Sequence, residues 1–162
     1  MGLDMYLSKA HYVGLNWKDP DTVSGILTVN NKRVDTNIKW NKVAIIRESF
    51  GYWRKANAIH NWFVQECQGG EDDCKEYYVR KEQLKELLGK CKEAIAYKGK
   101  TGDDVSEQLD VILPTLQGFF FGDVAYDKYY FEYVQDTIDL IESIPDSDWE
   151  DDYVSFYYES SW

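Results

Sequence analysis

A chain of 162 residues with 44% apolar and 16% aromatic side chains can bury one continuous core and is too short for two. That content excludes a disordered tail in spite of a formal charge of −11, and no apolar run is long enough to span a membrane. The charge is unevenly placed: residues 1 to 100 carry 17 Lys/Arg against 13 Asp/Glu, and residues 101 to 162 carry one against 16. The acidic final third disfavours direct nucleic-acid binding, whose sequence-independent part is attraction to phosphate, and leaves a solvated rim or a surface for a basic protein.

Three cysteines, Cys67, Cys74 and Cys91, show no zinc-type doublet spacing and suit reduced thiols in the cytoplasm. No signal peptide is expected, and Tyr6 stands where a myristoylation signal wants Ser or Thr.

In chain order, "LDMYLSKAHYVG" alternates Leu3, Met5 and Leu7 against Asp4 and Ser8, the period-two pattern of a half-buried strand. "GILTVNNKRVD" sets two β-prone runs around Asn30-Asn31, which predicts a hairpin. From about Arg47 to Cys67 the pattern reads as a helix stopped by the paired glycines of "QGG". "EYYV" is a short strand, and Leu84, Leu87, Leu88, Cys91 and Ile95 form one face of a surface helix.

"AYKGKTGDDVSE" reads as a loop. In "GFFFG" two glycines bracket three phenylalanines, which predicts a buried aromatic run between sharp bends. "YDKYYFEYVQDTIDLIESI" is a helix with apolar residues over half its circumference, and so packs against two neighbours. "DYVSFYYESSW" alternates as a strand. The expected architecture is a single α+β domain over residues 1–162, a mostly antiparallel sheet with about three helices packed on it.

The helix containing "YWRKANAIHNWFV" is anomalous. At 100° per residue, Tyr52, Trp53, Ala56, Ile59, Phe63, Val64 and Cys67 form one apolar arc, with His60 inside it and Asn57 at its edge. The opposite arc holds Arg54, Lys55, Asn61, Gln65 and Glu66, with Trp62 among them. A core histidine held by ordinary hydrogen bonds explains His60; so does a pocket in which Asn57 and His60 face a ligand. Trp62 is either a second packing layer or a stacking platform beside cations, suited to a planar anion.

These motifs carry a resemblance. The start "MGLDMYL", the stretch "GYWRKANAIHNWFV", "GGEDDCKEYYV" with "KEQLKELL", and "LPTLQGFFFGDVAYDKYYFE" with "DTID" resemble a group of small bacteriophage and prophage proteins of unknown activity. The likeness spans most of the chain except residues 15 to 45 and the final strand. It implies a phage-encoded accessory protein acting in the cytoplasm of the bacterial host.

No P-loop, dinucleotide fingerprint, nucleophile elbow or zinc-protease pair is present. Cys67 lies about 10 Å beyond His60 along a helix, too far for direct proton transfer. A metal site from His60, Asp72, Asp73 and Cys74 would have irregular spacing, and no metal or cofactor is expected.

The favoured function is a non-enzymatic inhibitor of a host defence protein. It would either sequester a nucleotide-like small molecule with Trp53, Arg54, Lys55, Asn57, His60 and Trp62, or occlude a nucleic-acid-binding effector with the acidic third. The alternatives are a small nucleotide-directed hydrolase or transferase using His60 with Asp72 or Asp73, and a structural subunit of a phage assembly. No membrane partner is expected, and homo-oligomerisation is left open.

Overall fold

The alternation at the start of the chain builds a strand. In the computed structural model, which describes residues 2–13, 27–29, 32–34, 39 and 42–162, β1 (Asp4–Tyr12) buries Met5, Leu7 and Lys9 on one face and turns Tyr6 and Tyr12 to the other. The hairpin strands β2 (Leu27–Val29) and β3 (Lys32–Val34) pair with each other, and the expected turn at Asn30 and Asn31 lies outside the described residues.

The predicted helix from Arg47 to Cys67 is two elements. Residues Ile45–Arg54 form strand β4 on β1, and only Asn57–Cys67 forms helix α1. The break falls at Lys55, whose φ of 59° lies in the left-handed region. No glycine or proline marks the spot, and the apolar spacing runs through it unbroken, so the pattern imitates one long helix. Gly51 was the contrary signal, costing about 1 kcal/mol in a helix interior. In the strand it is needed: α4 (Lys128–Glu142) sets Leu140 directly on it, and a Cβ there would lie 2.4 Å from Leu140 Cδ2. The ladder also shifts by one residue here, with Leu7 opposite Gly51 and Ser8 opposite Ser49, so Phe50 is the extra residue of a bulge.

The short strand β5 (Tyr77–Val79) follows, then helix α2 (Lys81–Ile95), both where the sequence places them. The stretch read as a loop is partly helical: α3 (Asp103–Ile112) begins within it and buries Leu109 and Ile112. A short α5 (Asp146–Glu150) precedes the final strand β6 (Val154–Ser161). Five helices thus stand among the described residues, rather than about three.

The fold is α+β. One four-stranded sheet has the order β4-β1-β6-β5 with every neighbour antiparallel. Its inner face presents Met5, Leu7, Trp53, Val79, Phe156 and Tyr158 to the helices, and these residues join one apolar cluster with Ile59, Phe63, Leu84, Leu87, Val134 and Ile138. Phe63 stacks on Tyr158 with ring centroids 3.9 Å apart, which fixes α1 on β6. As expected, α4 meets two neighbours, α2 on one side and the sheet on the other, where Trp53 Nε1 donates to Thr137 Oγ1 at 2.9 Å. None of the described helices is long and apolar enough to cross a membrane.

Candidate functional site

The turn from β4 into α1 meets the segment that precedes α4. Lys55 donates its N–H to Leu3 O at 2.8 Å, which ties the turn to the start of β1. Two residues on, Asn57 is wholly buried, and its Nδ2 donates to Phe121 O at 3.3 Å and to Asp123 O at 2.7 Å. Asn57 thereby staples the 118–123 segment against the start of α1. Gly122 passes the turn with φ of 94°, its open side against the Lys55 stem.

Between these parts lies a cleft of about 520 Å³. Arg54 and Lys55 form one wall. The other belongs to α4, where Tyr129, Glu132, Tyr133 and Asp136 follow the i, i+3, i+4, i+7 spacing of one helical face. Asp123 and Asp127 complete the lining, and Asp127 also caps α4, accepting from Tyr129 N at 2.8 Å and Tyr130 N at 3.1 Å. The two cations therefore face four carboxylates. Polyanions are repelled from such a lining, and cationic groups are favoured.

The other expected binding residues lie elsewhere. Trp53 is a core residue of the sheet's inner face. The wet-side position expected for Trp62 is wrong, because only 7% of it is exposed. Both flanks of α1 are covered, one by the sheet and the other by the Ile112–Pro114 corner, against which Trp62 lines a shallow groove of about 280 Å³. Arg54 and Lys55 are not beside it, since they precede the helix. The six residues chosen for a nucleotide pocket thus do not converge on one.

His60 is fully buried and both ring nitrogens are engaged. Asp72, in the loop after α1, accepts from Nε2–H at 2.9 Å, which leaves Nδ1 of the neutral ring to accept a hydrogen bond from the Tyr158 hydroxyl at 2.8 Å. Phe121 closes the ring edge-on at 5.0 Å. Burial pushes the imidazole below its ordinary pKa, with Asp72 pulling the other way, and burial holds the Tyr158 hydroxyl far above its usual range. The arrangement locks β6, α1 and the 68–76 loop together and offers no free nitrogen to a substrate.

The structure brings Asp72 to His60 but not Asp73. Asp73 binds Lys75 and the Tyr77 hydroxyl, and the Lys75 ammonium draws its carboxyl below the usual range. Burial raises the Cys67 and Cys91 thiols to about 12, so neither is a thiolate at neutral pH. Among the described residues no three His, Cys, Asp or Glu side chains converge on a metal-sized point.

The phenylalanine run is not uniformly buried. Phe121 packs inward and Phe120 is half-buried, while Phe119 is 94% exposed, three residues before the cleft-lining Gly122. Sequence reasoning missed this apolar knob, and it missed the cleft's carboxylates. The i, i+4 pair Glu132 and Asp136 on an acidic helix was the signal available. Comparison with protein-family models, with curated proteins and with solved structures returns no match to this chain.

Proposed function

We propose that this protein is a phage-encoded accessory binding protein that inhibits a host defence system by occupying a basic, nucleic-acid-binding effector. The phage context rests on the sequence resemblance. The binding mode rests on one observation: Arg54 and Lys55 sit in a cleft with Asp123, Asp127, Glu132 and Asp136, where carboxylates outnumber cations. An effector that grips phosphate presents arginine and lysine side chains, and such a cleft with tyrosine walls receives them through charge-assisted and cation–π contacts. Phe119 at the neighbouring loop supplies an apolar anchor of the kind that dominates interface energy. Nucleotide sequestration loses its support, since Trp53, His60 and Trp62 are all core residues.

The test is protection of phage plating in cells that carry a nucleic-acid-targeting defence, with the protein expressed from a plasmid. The doubly reversed variant Glu132→Lys/Asp136→Lys, both exposed on α4, is expected to fold normally and lose protection. Protection that survives in that variant, or stoichiometric binding of a nucleotide by calorimetry, overturns the reading.

A further inference from the structure

The helices cover one face of the sheet only. On the other stand Tyr6, Tyr12, Tyr52, Tyr78, Tyr153 and Tyr157, most of them exposed, and no described helix covers them. They form local pairs: Tyr6 with Tyr52 at 5.5 Å between ring centroids, Tyr12 stacked on Tyr153 at 6.1 Å, and Tyr78 edge-on to Tyr157 at 5.8 Å. An uncovered aromatic sheet face of this extent marks an interaction surface.

Its relief is polarised along β1. At one end Tyr6 and Tyr52 make a ridge. At the other a hollow of about 240 Å³ is floored by Ala10 and walled by Tyr12, Tyr153, Tyr157 and Ile45. Between them, level with Ser8, lie Ser49 on β4 and Tyr157 on β6.

We infer that this face binds a second copy of the same chain, sheet against sheet, about a two-fold axis crossing the strands over Ser8. Tyr6 and Ala10 are equally spaced on either side of Ser8 and share its face, so the rotation seats each copy's Tyr6 ridge in the other's Ala10 hollow. In the ladder Tyr52 is level with Tyr6 and Arg47 with Ala10. The same rotation therefore sets Tyr52 of one copy against Arg47 of the other, a cation–π pairing that Arg47 already makes with Tyr157 at 4.8 Å.

Charge points to the same occupant. The face carries Arg47 and Arg54 against Asp4, Glu76 and Glu159, close to balance, while the whole molecule carries −11, so two copies meet there with less repulsion than their net charge imposes. The arginines are already matched, Arg47 by Glu76 and Arg54 by Asp4 at 3.9 Å. Among the described residues of this face that leaves no unpaired arginine for a phosphate backbone, which disfavours stacked nucleic acid.

Sedimentation equilibrium of the full chain, from low micromolar to near-millimolar concentration, tests the inference. The expected result is a monomer–dimer equilibrium for the wild type and for Phe119→Ser. Ser8→Arg, which sets like charges together at the axis, and Tyr153→Glu, which alters the hollow's wall, are expected to be monomers with unchanged circular dichroism. A wild type that stays monomeric overturns the proposal. If its Tyr12 and Tyr153 then resist nitration, the face belongs to residues 14–41 of the same chain; if it binds single-stranded nucleic acid, it belongs to bases. A dimer that persists in both variants also overturns it, by placing the contact elsewhere.

Discussion

Lys55 and Gly122 face each other with both backbones in the left-handed region, φ 59° and 94°, and a Cβ on Gly122 would lie 3.2 Å from the Lys55 Cβ. A lysine held in that conformation, where glycine sits without strain, is a local cost set at the wall of the carboxylate-lined cleft. Lys55→Gly is therefore expected to keep or raise stability, within about 1 kcal/mol, because relief of strain offsets the extra freedom of the unfolded chain. Lys55→Val, β-branched at positive φ, is expected to lose about 1–3 kcal/mol. Urea denaturation of the two variants checks the pair, and equal losses in both would remove the argument for strain.

Stability is expected to fall on mild acidification through His60. Burial lowers its folded pKa below the unfolded value of about 6.5, with Asp72 opposing. The unfolded chain therefore takes up the proton first. The contribution is complete above the unfolded pKa and declines as pH drops toward the folded one. In His60→Gln this slope disappears, although the variant is less stable at neutral pH for want of one of its two partners, Tyr158 and Asp72. Urea midpoints at pH 7.5, 6.5 and 5.5 supply the comparison; a parallel slope in the variant would assign the dependence to other groups.

The contrast between these two sites shows what the sequence can carry. β1, β6, α2 and α4 were legible because one face of each is buried and the other wet, which imposes period two or 3.6 on the residues themselves. The β4–α1 boundary was not legible, because Lys55 breaks the chain without a breaker residue while Trp53, Ala56, Phe63 and Cys67 happen to continue helical spacing. α3 hid behind Gly102 and its acidic start, although Val105, Leu109 and Ile112 were periodic. At the site, Arg54 and Lys55 were chosen as neighbours of Trp62 on one helix and are instead neighbours of Asp123 and Asp136, which tertiary packing alone brings near. The sequence offered Asp72 or Asp73 as a companion of His60 without choosing between them, and the closing partner Tyr158 lies 98 residues from His60.

Lys9 holds α5 to the sheet. Its ammonium is 2.9 Å from Asp148 Oδ2 and 3.5 Å from Glu48 Oε2, with a side chain only 7% exposed. Burial opposes its charge, yet the two carboxylates outweigh burial and leave its pKa above the ordinary lysine value; the Lys9 hydrogen bond in turn lowers that of Asp148. Asp148→Asn is expected to cost about 1–3 kcal/mol, since Glu48 remains to face the cation. The wild-type contribution of Asp148 is lost as pH falls through its depressed folded pKa, and that of Lys9 as pH rises through its raised one. Thermal unfolding across the acid range, compared between wild type and Asp148→Asn, measures the first of these, and superimposable acid limbs would contradict it.

Two aromatic residues exchange the roles that hydrophobic patterning assigns them, and mutation separates the roles by magnitude. Trp62, expected on a wet helix face, packs edge-on against Phe63 at 5.3 Å and borders Ile112 and Pro114. Phe119, expected in a buried run, stands in solvent. Truncating a packed indole removes its burial and leaves a void that neighbours fill only in part, so Trp62→Ala is expected to cost about 3–5 kcal/mol. Phe119→Ser removes little buried area and is expected to stay within about 0.5 kcal/mol. Midpoints of urea unfolding at constant slope give both values. If instead Trp62→Ala left the midpoint unchanged, the indole would be free for contact after all. Trp62 would then serve as a stacking platform, and the carboxylate cleft would lose its place as the principal binding site.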